Sequence, residues 1–450
     1  MTDEELLRIA QEHESSFVRR RRSLMDFRYD EQQEKYWDLT TGILLGARSV
    51  DGAIHKEEWP TAGKKQIRPS VAINDIDSGL TVEGSTWWPG MPQFIENHVV
   101  TERGAMRVAG ASTYNSYCAP PSPQRLDGTP QPWLDHVRRL YPDPVEHEHF
   151  FDFCAHAIQR PDEKINHGIV MSGAQGIGKD TALLPVRRGV GEWNAAEIAP
   201  DAITSPYNGY VQSVLLIINE VRPHDHEHKA SNFYNMLKPI LASPPDMLPM
   251  TLKYANTIYV RNLSHVILTT NDPLTMYIPP EDRRLFVMNS NAERDLDAQY
   301  FEALYSWFDS GGIDEVIGWL ASRDISAFLA SATPALTSGK EMIIESAHSV
   351  RRSSVDELIE MYVEKHNNPH VIFQRDLSSF AVAEQFDDAT KIRGNTIHYK
   401  MSEHGYDLMR NPTATEWRAG SFRSRLAFCS KKIPPPQRMA AVELELEKRR

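Results

Sequence analysis

The chain has 450 residues, of which 41% are hydrophobic and 24% are charged. This length allows two or three domains of ~100–200 residues, each with its own buried core. The sequence has no apolar run of about 18 residues, and its acidic, amphipathic start lacks the parts of a secretory signal. The widely spaced cysteines, Cys118, Cys154 and Cys429, argue against disulfides and a structural zinc. We therefore expect a cytoplasmic protein without a membrane span.

Charge is distributed unevenly along the chain. The net charge of −12 argues against a surface that coats nucleic acid. A narrow basic channel remains compatible with it, because phosphate contacts are local. From Lys391 to Arg438, ten Lys or Arg residues stand against three Asp or Glu residues. The C-terminal region is therefore a basic part of an acidic protein.

Two regions precede the centre of the chain. Residues 1–35 are predicted as an N-terminal helical segment with a basic run at 19–22, which fits a solvated helix face and a phosphate contact equally well. Residues 36–130 are rich in Gly, Pro, Trp and Thr, with short apolar pieces. This composition predicts a mixed region of short strands and loops.

Residues 131–335 are predicted as one α/β domain with a helical lead-in and a helical lid. Apolar runs at 168–172, 214–219 and 265–271 alternate with helical stretches. This alternation predicts a mostly parallel sheet that is covered on both faces. After a Ser/Thr/Ala/Pro linker, residues 340–450 form a small α+β module. Its helices, followed by a hairpin near TIHYKMSEHGYDLM, would suit a winged helix.

A candidate phosphate-binding loop follows the first apolar run. The segment GAQGIGKDT has the spacing G-x-x-x-x-G-K and opens a helical pattern. Glycines permit a tight turn in which successive N–H groups face phosphates, and the helix N-terminus adds a favourable dipole. We expect ATP and Mg²⁺ as cofactors, with the nucleotide bound at Gly173, Gly176, Ile177, Gly178, Lys179, Asp180 and Thr181.

The metal ligands are open to two readings. Asp180 stands where a hydroxyl residue usually follows the lysine, and Thr181 comes one place later, so either could ligate Mg²⁺. The second apolar run ends in Asn219 and Glu220, where such enzymes usually have two acids. Glu220 is the candidate general base for water, and Asn219 could assist the metal through its oxygen. We hypothesise that one negative charge has moved from the strand end to Asp180.

Three polar residues further along complete the predicted site. Asn271 ends the third run, and it either forms a turn before Asp272-Pro273 or contacts the attacking water or γ-phosphate. We favour the second role because of its place after Glu220. Charge on the transferred phosphoryl group also requires a cation. Arg284 is the first candidate for it, and Arg283 is the second.

The order of these motifs resembles superfamily 3 helicases, above all the phage and prophage replication helicases that are often fused to primases. The resemblance is strong over residues 165–290 and is carried by GAQGIGKDT, NEV, YNMLKPILASPP, LPMTLKYANTIYV, TTND and EDRRLFV. It implies an AAA-like P-loop core, a homo-hexameric ring, ATP-driven movement on single-stranded DNA at a replication fork, and an arginine finger acting in trans. The setting would be the cytoplasm of a bacterial host.

The same resemblance implies a β-hairpin between Glu220 and Asn271 that carries a DNA-contacting lysine. Lys253 is the matching candidate and Lys238 is the second, although each could be an ordinary solvent-facing lysine. Residues 1–130 show no acidic set suited to nucleotide polymerisation, so we do not expect primase activity in this chain, and a primase part would be either separate or missing. The alternative function is a P-loop ATPase that is not a helicase, such as a DNA-packaging or regulatory ATPase.

Overall fold

The computed structural model describes residues 22–122, 128–219, 227–271, 278–279, 281–292, 298–350, 354–384 and 395–450. The chain is a mixed α/β protein that divides into two compact units, one ending at Ile343 and the other running from Ile344 to Arg450. Among the described helices, none combines the length and the apolar character needed to cross a bilayer.

The N-terminal part of the first unit consists of strands of two to twelve residues with two short helices. The helices are α1 (Ala47–Ala53) and α2 (Pro69–Ile73). The strands form sheets of order β3-β2-β1-β6, β7-β9-β8 and β4-β5. Their bounds are β1 (Phe27–Asp30), β2 (Lys35–Asp38), β3 (Ile43–Leu45), β4 (Thr61–Ala62), β5 (Lys65–Gln66), β6 (Thr81–Val82), β7 (Gly84–Thr86), β8 (Phe94–Thr101) and β9 (Gly104–Asn115).

The helical prediction for residues 1–35 needs correction over its described part. Residues 27–30 form β1, which pairs antiparallel with β2 from Phe27 opposite Asp38 to Asp30 opposite Lys35. The strand is favoured because Phe27 is fully buried in the N-terminal core and Asp30 accepts a hydrogen bond from the Trp37 indole at 2.9 Å. Residues 1–21 lie outside the described part of the chain.

The central sheet has five parallel strands in the order β11-β12-β15-β10-β16. Every residue of β10, β12 and β15 is buried, as expected for parallel strands that are covered on both faces, and the three strands lie at the three predicted apolar runs. Two further strands, β11 and β16, were not predicted. The bounds are β10 (Gly168–Ser172), β11 (Ala195–Ile198), β12 (Leu215–Ile218), β15 (His265–Thr270) and β16 (Leu285–Asn289).

The helices of this part and one hairpin complete the first unit. Helix α4 begins where the Asp143 side chain accepts a hydrogen bond from Val145 N at 2.8 Å, with Pro144 in the first turn. The hairpin consists of β13 (Met247–Met250) and β14 (Ile258–Arg261). The helices are α3 (Gln131–Leu140), α4 (Pro144–Gln159), α5 (Lys179–Val190), α6 (Glu227–Leu241), α7 (Ala298–Trp307) and α8 (Ile313–Ser322).

The C-terminal unit is a small α+β module. Its sheet has the antiparallel order β17-β21-β18, and β19 and β20 form a separate hairpin. The segment TIHYKMSE lies in helix α12, so the hairpin comes later than the sequence suggested. The elements are α9 (Ser338–Val350), α10 (Ser354–Lys365), β17 (Val371–Phe373), α11 (Gln374–Ala383), α12 (Asn395–Glu403), β18 (Tyr406–Met409), β19 (Trp417–Ala419), β20 (Phe422–Ser424), β21 (Ala427–Ser430) and α13 (Pro435–Glu447).

Candidate phosphate-binding site

The candidate phosphate-binding loop, residues 173–178, which we name the phosphate loop, joins the carboxyl end of β10 to the start of α5. Its three glycines all have positive φ, at 149° for Gly173, 82° for Gly176 and 102° for Gly178. A Cβ atom on Gly178 would lie 2.5 Å from Cε1 of His136. The tight turn at this position therefore requires glycine for its backbone conformation and for its space.

The Lys179 side chain curls back over this loop. Its Nζ donates hydrogen bonds to the Gly173 carbonyl at 2.5 Å, the Ala174 carbonyl at 3.0 Å and Oδ1 of Asn271 at 3.0 Å. The residue is 8% exposed, and burial lowers the pKa of its ammonium group while the nearby Asp180 carboxylate raises it. These three hydrogen-bond partners are neutral, so the ammonium keeps its positive charge available for an anionic ligand.

His136 fixes the end of the loop from the neighbouring helices. Its Nε2 lies 3.0 Å from the Gly178 carbonyl, and its Nδ1 lies 2.9 Å from the Tyr300 hydroxyl. Because a carbonyl only accepts, Nε2 carries the proton and donates to Gly178. Burial lowers the pKa of His136, so the ring is neutral and Nδ1 accepts from Tyr300. No local sequence pattern predicts this contact between α3, α7 and the loop.

The candidate metal ligands lie around one cleft of about 450 Å³, which Lys179 and Asn271 also line. Asp180 is exposed, whereas the Thr181 hydroxyl lies 3.1 Å from the Tyr305 hydroxyl. In the described residues no group of three His, Cys, Asp or Glu side chains could hold a metal ion. Asp180, Thr181 and Asn219 would supply part of the oxygen shell of a Mg²⁺ ion in this cleft, and a bound phosphate or water would supply the rest.

The end of β12 meets the same cleft. Oδ1 of Asn219 accepts a hydrogen bond from the Thr269 hydroxyl at 3.2 Å, and its amide nitrogen donates to the Glu197 carboxylate. Both polar ends of the Asn219 side chain are thus engaged by neighbouring strands. Glu220, the predicted general base, lies outside the described residues. The structure therefore brings together the predicted loop residues, Asn219 and Asn271.

The predicted arginines lie at the opposite end of the strands from the phosphate loop, where the parallel strands begin. Arg284 immediately precedes β16, and its carbonyl accepts a hydrogen bond from Gly168 N at 2.8 Å, at the start of β10. The phosphate loop begins after Ser172, at the other end of that parallel strand. The length of β10, about 16 Å at ~3.3 Å per residue, separates the two. Arg283 and Arg284 instead line a second cleft of about 340 Å³.

A buried carboxylate holds the turn that carries the two arginines, residues 281–284, which we name the arginine turn. The Asp282 side chain is fully buried, and its Oδ2 lies 2.9 Å from Nζ of Lys340 and 3.1 Å from Arg284 N. Its Oδ1 accepts from the Tyr234 hydroxyl, and burial followed by this contact raises the pKa of Tyr234. The Asp282 carboxylate thus connects the turn to helix α6 through Tyr234 and to helix α9 through Lys340. The contacts of Asp282 with Tyr234 and Lys340 join residues far apart in the chain, so no local sequence pattern predicts them.

The predicted DNA-contacting lysines lie on different elements. Lys253 lies in the turn of the β13–β14 hairpin, with its Nζ 5.0 Å from the centre of the Tyr254 ring, which is 83% exposed. The Lys35 side chain donates to the Tyr254 carbonyl, and Gln33 hydrogen bonds Asn256, so the N-terminal strands hold this turn. Lys238 lies on α6, and its Nζ lies 4.8 Å from the centre of the Tyr234 ring.

The comparisons with known proteins give structural likeness alone. No protein-family model and no curated protein matches the sequence. Two apo structures of the C-terminal region of NrS-1 match with TM-scores of 0.58 and 0.56, each at 15% identity over 90% of this chain and 96% of that chain. A JCV helicase structure matches half of this chain at 12% identity with a TM-score of 0.27, which is too low to establish a common fold. The chain therefore has a fold similar to that of the NrS-1 region.

We predict that the substitution Gly178→Ala weakens nucleotide binding by about tenfold or more, because the new Cβ meets the His136 ring and alanine disfavours positive φ. Titration with a fluorescent ATP analogue measures the change. Gly104→Ala is the matched control, since Gly104 also has positive φ but has open space around its Cβ position. Equal affinity of Gly178→Ala and the wild type would contradict the assignment of this loop.

Proposed function

We propose that this chain is an ATP-dependent DNA helicase of phage or prophage replication. It would have an AAA-like P-loop core and act as a homo-hexameric ring that translocates on single-stranded DNA. The strongest support is the buried Lys179 ammonium, which has three neutral hydrogen-bond partners at the carboxyl end of strand β10 in the central sheet. A cation in that position matches the triphosphate of a nucleotide.

The residues around the cleft fit ATP and Mg²⁺. The β- and γ-phosphates would take the place of the two loop carbonyls beside Lys179, and the N–H groups at the start of α5 would add their dipole. Asp180 is exposed and free to approach a metal, whereas Thr181 must first leave the Tyr305 hydroxyl. When bound, Mg²⁺ supplies charge neutralisation on the phosphoryl oxygens.

Hydrolysis needs a residue that activates water and one that senses the γ-phosphate. Asn219 is held by Thr269 and Glu197, so its neighbour Glu220 is the proposed general base. Asn271 already contacts Nζ of Lys179 at 3.0 Å, so its amide lies where the γ-phosphate would arrive. This contact supports its proposed role as the γ-phosphate sensor.

The position of the arginines supports a ring. Arg284 lies at the amino edge of the sheet, about 16 Å from the phosphate loop of its own chain, which is beyond the reach of its side chain. A neighbouring subunit in a head-to-tail ring could present it to the next phosphate loop. The buried Asp282 carboxylate would hold the turn in the geometry that this contact requires.

The β13–β14 hairpin is the proposed contact with single-stranded DNA. A lysine next to an exposed tyrosine ring combines a phosphate partner with a surface on which a base can stack. Such contacts carry no sequence preference, as a translocating enzyme requires. A packaging ATPase moves duplex DNA, whose bases stay stacked, so the exposed Tyr254 ring favours an enzyme that acts on single strands.

We predict that single-stranded DNA stimulates ATP hydrolysis and that Lys253→Ala reduces the stimulation by about fivefold or more, since a phosphate contact is lost. A coupled ATPase assay with and without the strand measures this, and native mass spectrometry gives the subunit number. Lys65→Ala is the control, because Lys65 is an exposed lysine on a different hairpin. A monomeric protein whose ATPase rate is the same with and without single-stranded DNA would favour the non-helicase ATPase.

We also predict that Lys179→Ala and Arg284→Ala are each inactive in hydrolysis, that Arg284→Ala still binds nucleotide, and that their mixture regains activity. In rings assembled at random from equal amounts of the two variants, half of the subunits keep Lys179 and half keep Arg284. About one quarter of the interfaces therefore pair an intact Lys179 with an intact Arg284. The recovered rate should therefore approach about a quarter of the wild-type rate.

The double variant carrying both substitutions, mixed with either single variant, is the control for this complementation and should recover nothing. Full activity of Arg284→Ala alone, or a mixture that stays inactive, would contradict the arrangement in trans.

A further inference from the structure

A second basic surface lies in the C-terminal unit. Residues 405–432 contain six Lys or Arg residues and two acids. Three of the six lie on and beside the β19–β20 hairpin, residues 417–425, which we name the arginine hairpin. Arg418, Arg423 and Arg425 are all exposed. The proposed motor does not use these residues.

The arginine hairpin has an apolar inner face that fixes it to its own unit. Trp417 and Ala419 are 2% and 4% exposed. Trp417 belongs to the same core cluster as Phe373 and Val442. The ring centroids of Phe422 and Phe373 lie 5.3 Å apart, and the two rings pack edge to face. Because the inner face is anchored in this way, the outer face keeps a defined shape.

Like charges face each other on the outer face. Arg418 and Arg423 are direct partners in the antiparallel register of β19 and β20. Directly opposite residues have Cβ atoms about 4.5–5.5 Å apart, and like charges in such a pair are destabilising. Glu416 lies 3.3 Å from Arg418, while no carboxylate of the described residues pairs with Arg423 or Arg425. An anionic ligand would relieve this repulsion.

The chemistry of the face selects among anionic ligands. Arg423 and Arg425 are two residues apart, about 7 Å along an extended chain, so the face fits repeated anionic groups better than a single one. Guanidinium groups match phosphates in geometry. The aromatic rings of Trp417 and Phe422 point inward, which leaves the hairpin no exposed ring on which an unpaired base could stack.

We propose that the arginine hairpin binds the phosphodiester backbone of duplex DNA. Duplex DNA presents regularly spaced phosphates and keeps its bases stacked inside, so it needs cations and no aromatic ring. The β13–β14 hairpin, with Lys253 beside the exposed Tyr254, has the opposite character. The chain thus has separate sites for the two forms of DNA, and the duplex site is independent of nucleotide hydrolysis.

The test compares duplex and single-stranded DNA of the same length, each labelled with fluorescein, by anisotropy with the full chain and without nucleotide. The triple variant Arg418→Gln/Arg423→Gln/Arg425→Gln should bind the duplex about tenfold or more weakly at about 0.1 M salt. The slope of log affinity against log salt should become shallower by about 2–3. Single-strand affinity should stay within about twofold of the wild type.

Two matched variants make the result specific. The triple Arg→Lys variant should keep most of the duplex affinity, because phosphate contacts depend on charge. Lys365→Gln, which changes an exposed lysine of the same unit away from the arginine hairpin, should bind like the wild type. Melting temperatures at or above that of the wild type, measured by calorimetry, show that the variants retain the fold, since removing the facing Arg418 and Arg423 charges should not destabilise it.

Three outcomes would overturn the proposal. The triple Gln variant could keep the wild-type duplex affinity and salt slope, or it could lose duplex and single-strand affinity by the same factor. The wild-type chain could also fail to bind the duplex at low salt. The Lys179→Ala variant separates this test from the proposed motor, because it should bind the duplex even if the chain hydrolyses no nucleotide at all.

Discussion

The architecture of the first unit centres on one buried charge, the ammonium group of Lys179. Burial of a charged group is costly unless hydrogen bonds compensate, and here two loop carbonyls and the Asn271 amide oxygen provide them. This arrangement requires the positive-φ glycines of the loop, and His136 fixes the last of these by its hydrogen bond to Gly178. The surrounding helices and strands hold a cation where a triphosphate would compensate its charge more fully.

The parallel sheet separates the two halves of the proposed catalytic apparatus. The phosphate loop lies at the carboxyl edge, and the arginine turn, held by Asp282, lies at the amino edge of the neighbouring strand. Because the two lie at opposite ends of the strands, the proposed chemistry would use the arginine of a second subunit. The β13–β14 hairpin is in turn held by the N-terminal strands through Gln33 and Lys35, which links that region to the proposed DNA contact.

Local signals made the core of the site predictable, and long-range contacts did not. Continuous apolar runs identified β10, β12 and β15, and glycine spacing identified the loop. Strand β11 was not predicted from the sequence, because none of its residues is fully buried and its apolar pattern is therefore weak. The contact of His136 with Gly178 joins residues 42 positions apart, and Lys340 meets Asp282 across 58 positions, so no local pattern encodes either contact. Residues 27–30 read as a helix in isolation, but pairing with β2 makes them a strand.

A structure with a non-hydrolysable ATP analogue and Mg²⁺ tests the central claim most directly. We expect Nζ of Lys179 to leave the carbonyls of Gly173 and Ala174 and to lie about 2.7–3.2 Å from a β- or γ-phosphate oxygen. The Glu220 carboxylate should face the γ-phosphate from the end of β12. If Lys179 stayed on the loop carbonyls while the nucleotide bound elsewhere, or if Glu220 lay on a different surface, the account would be contradicted.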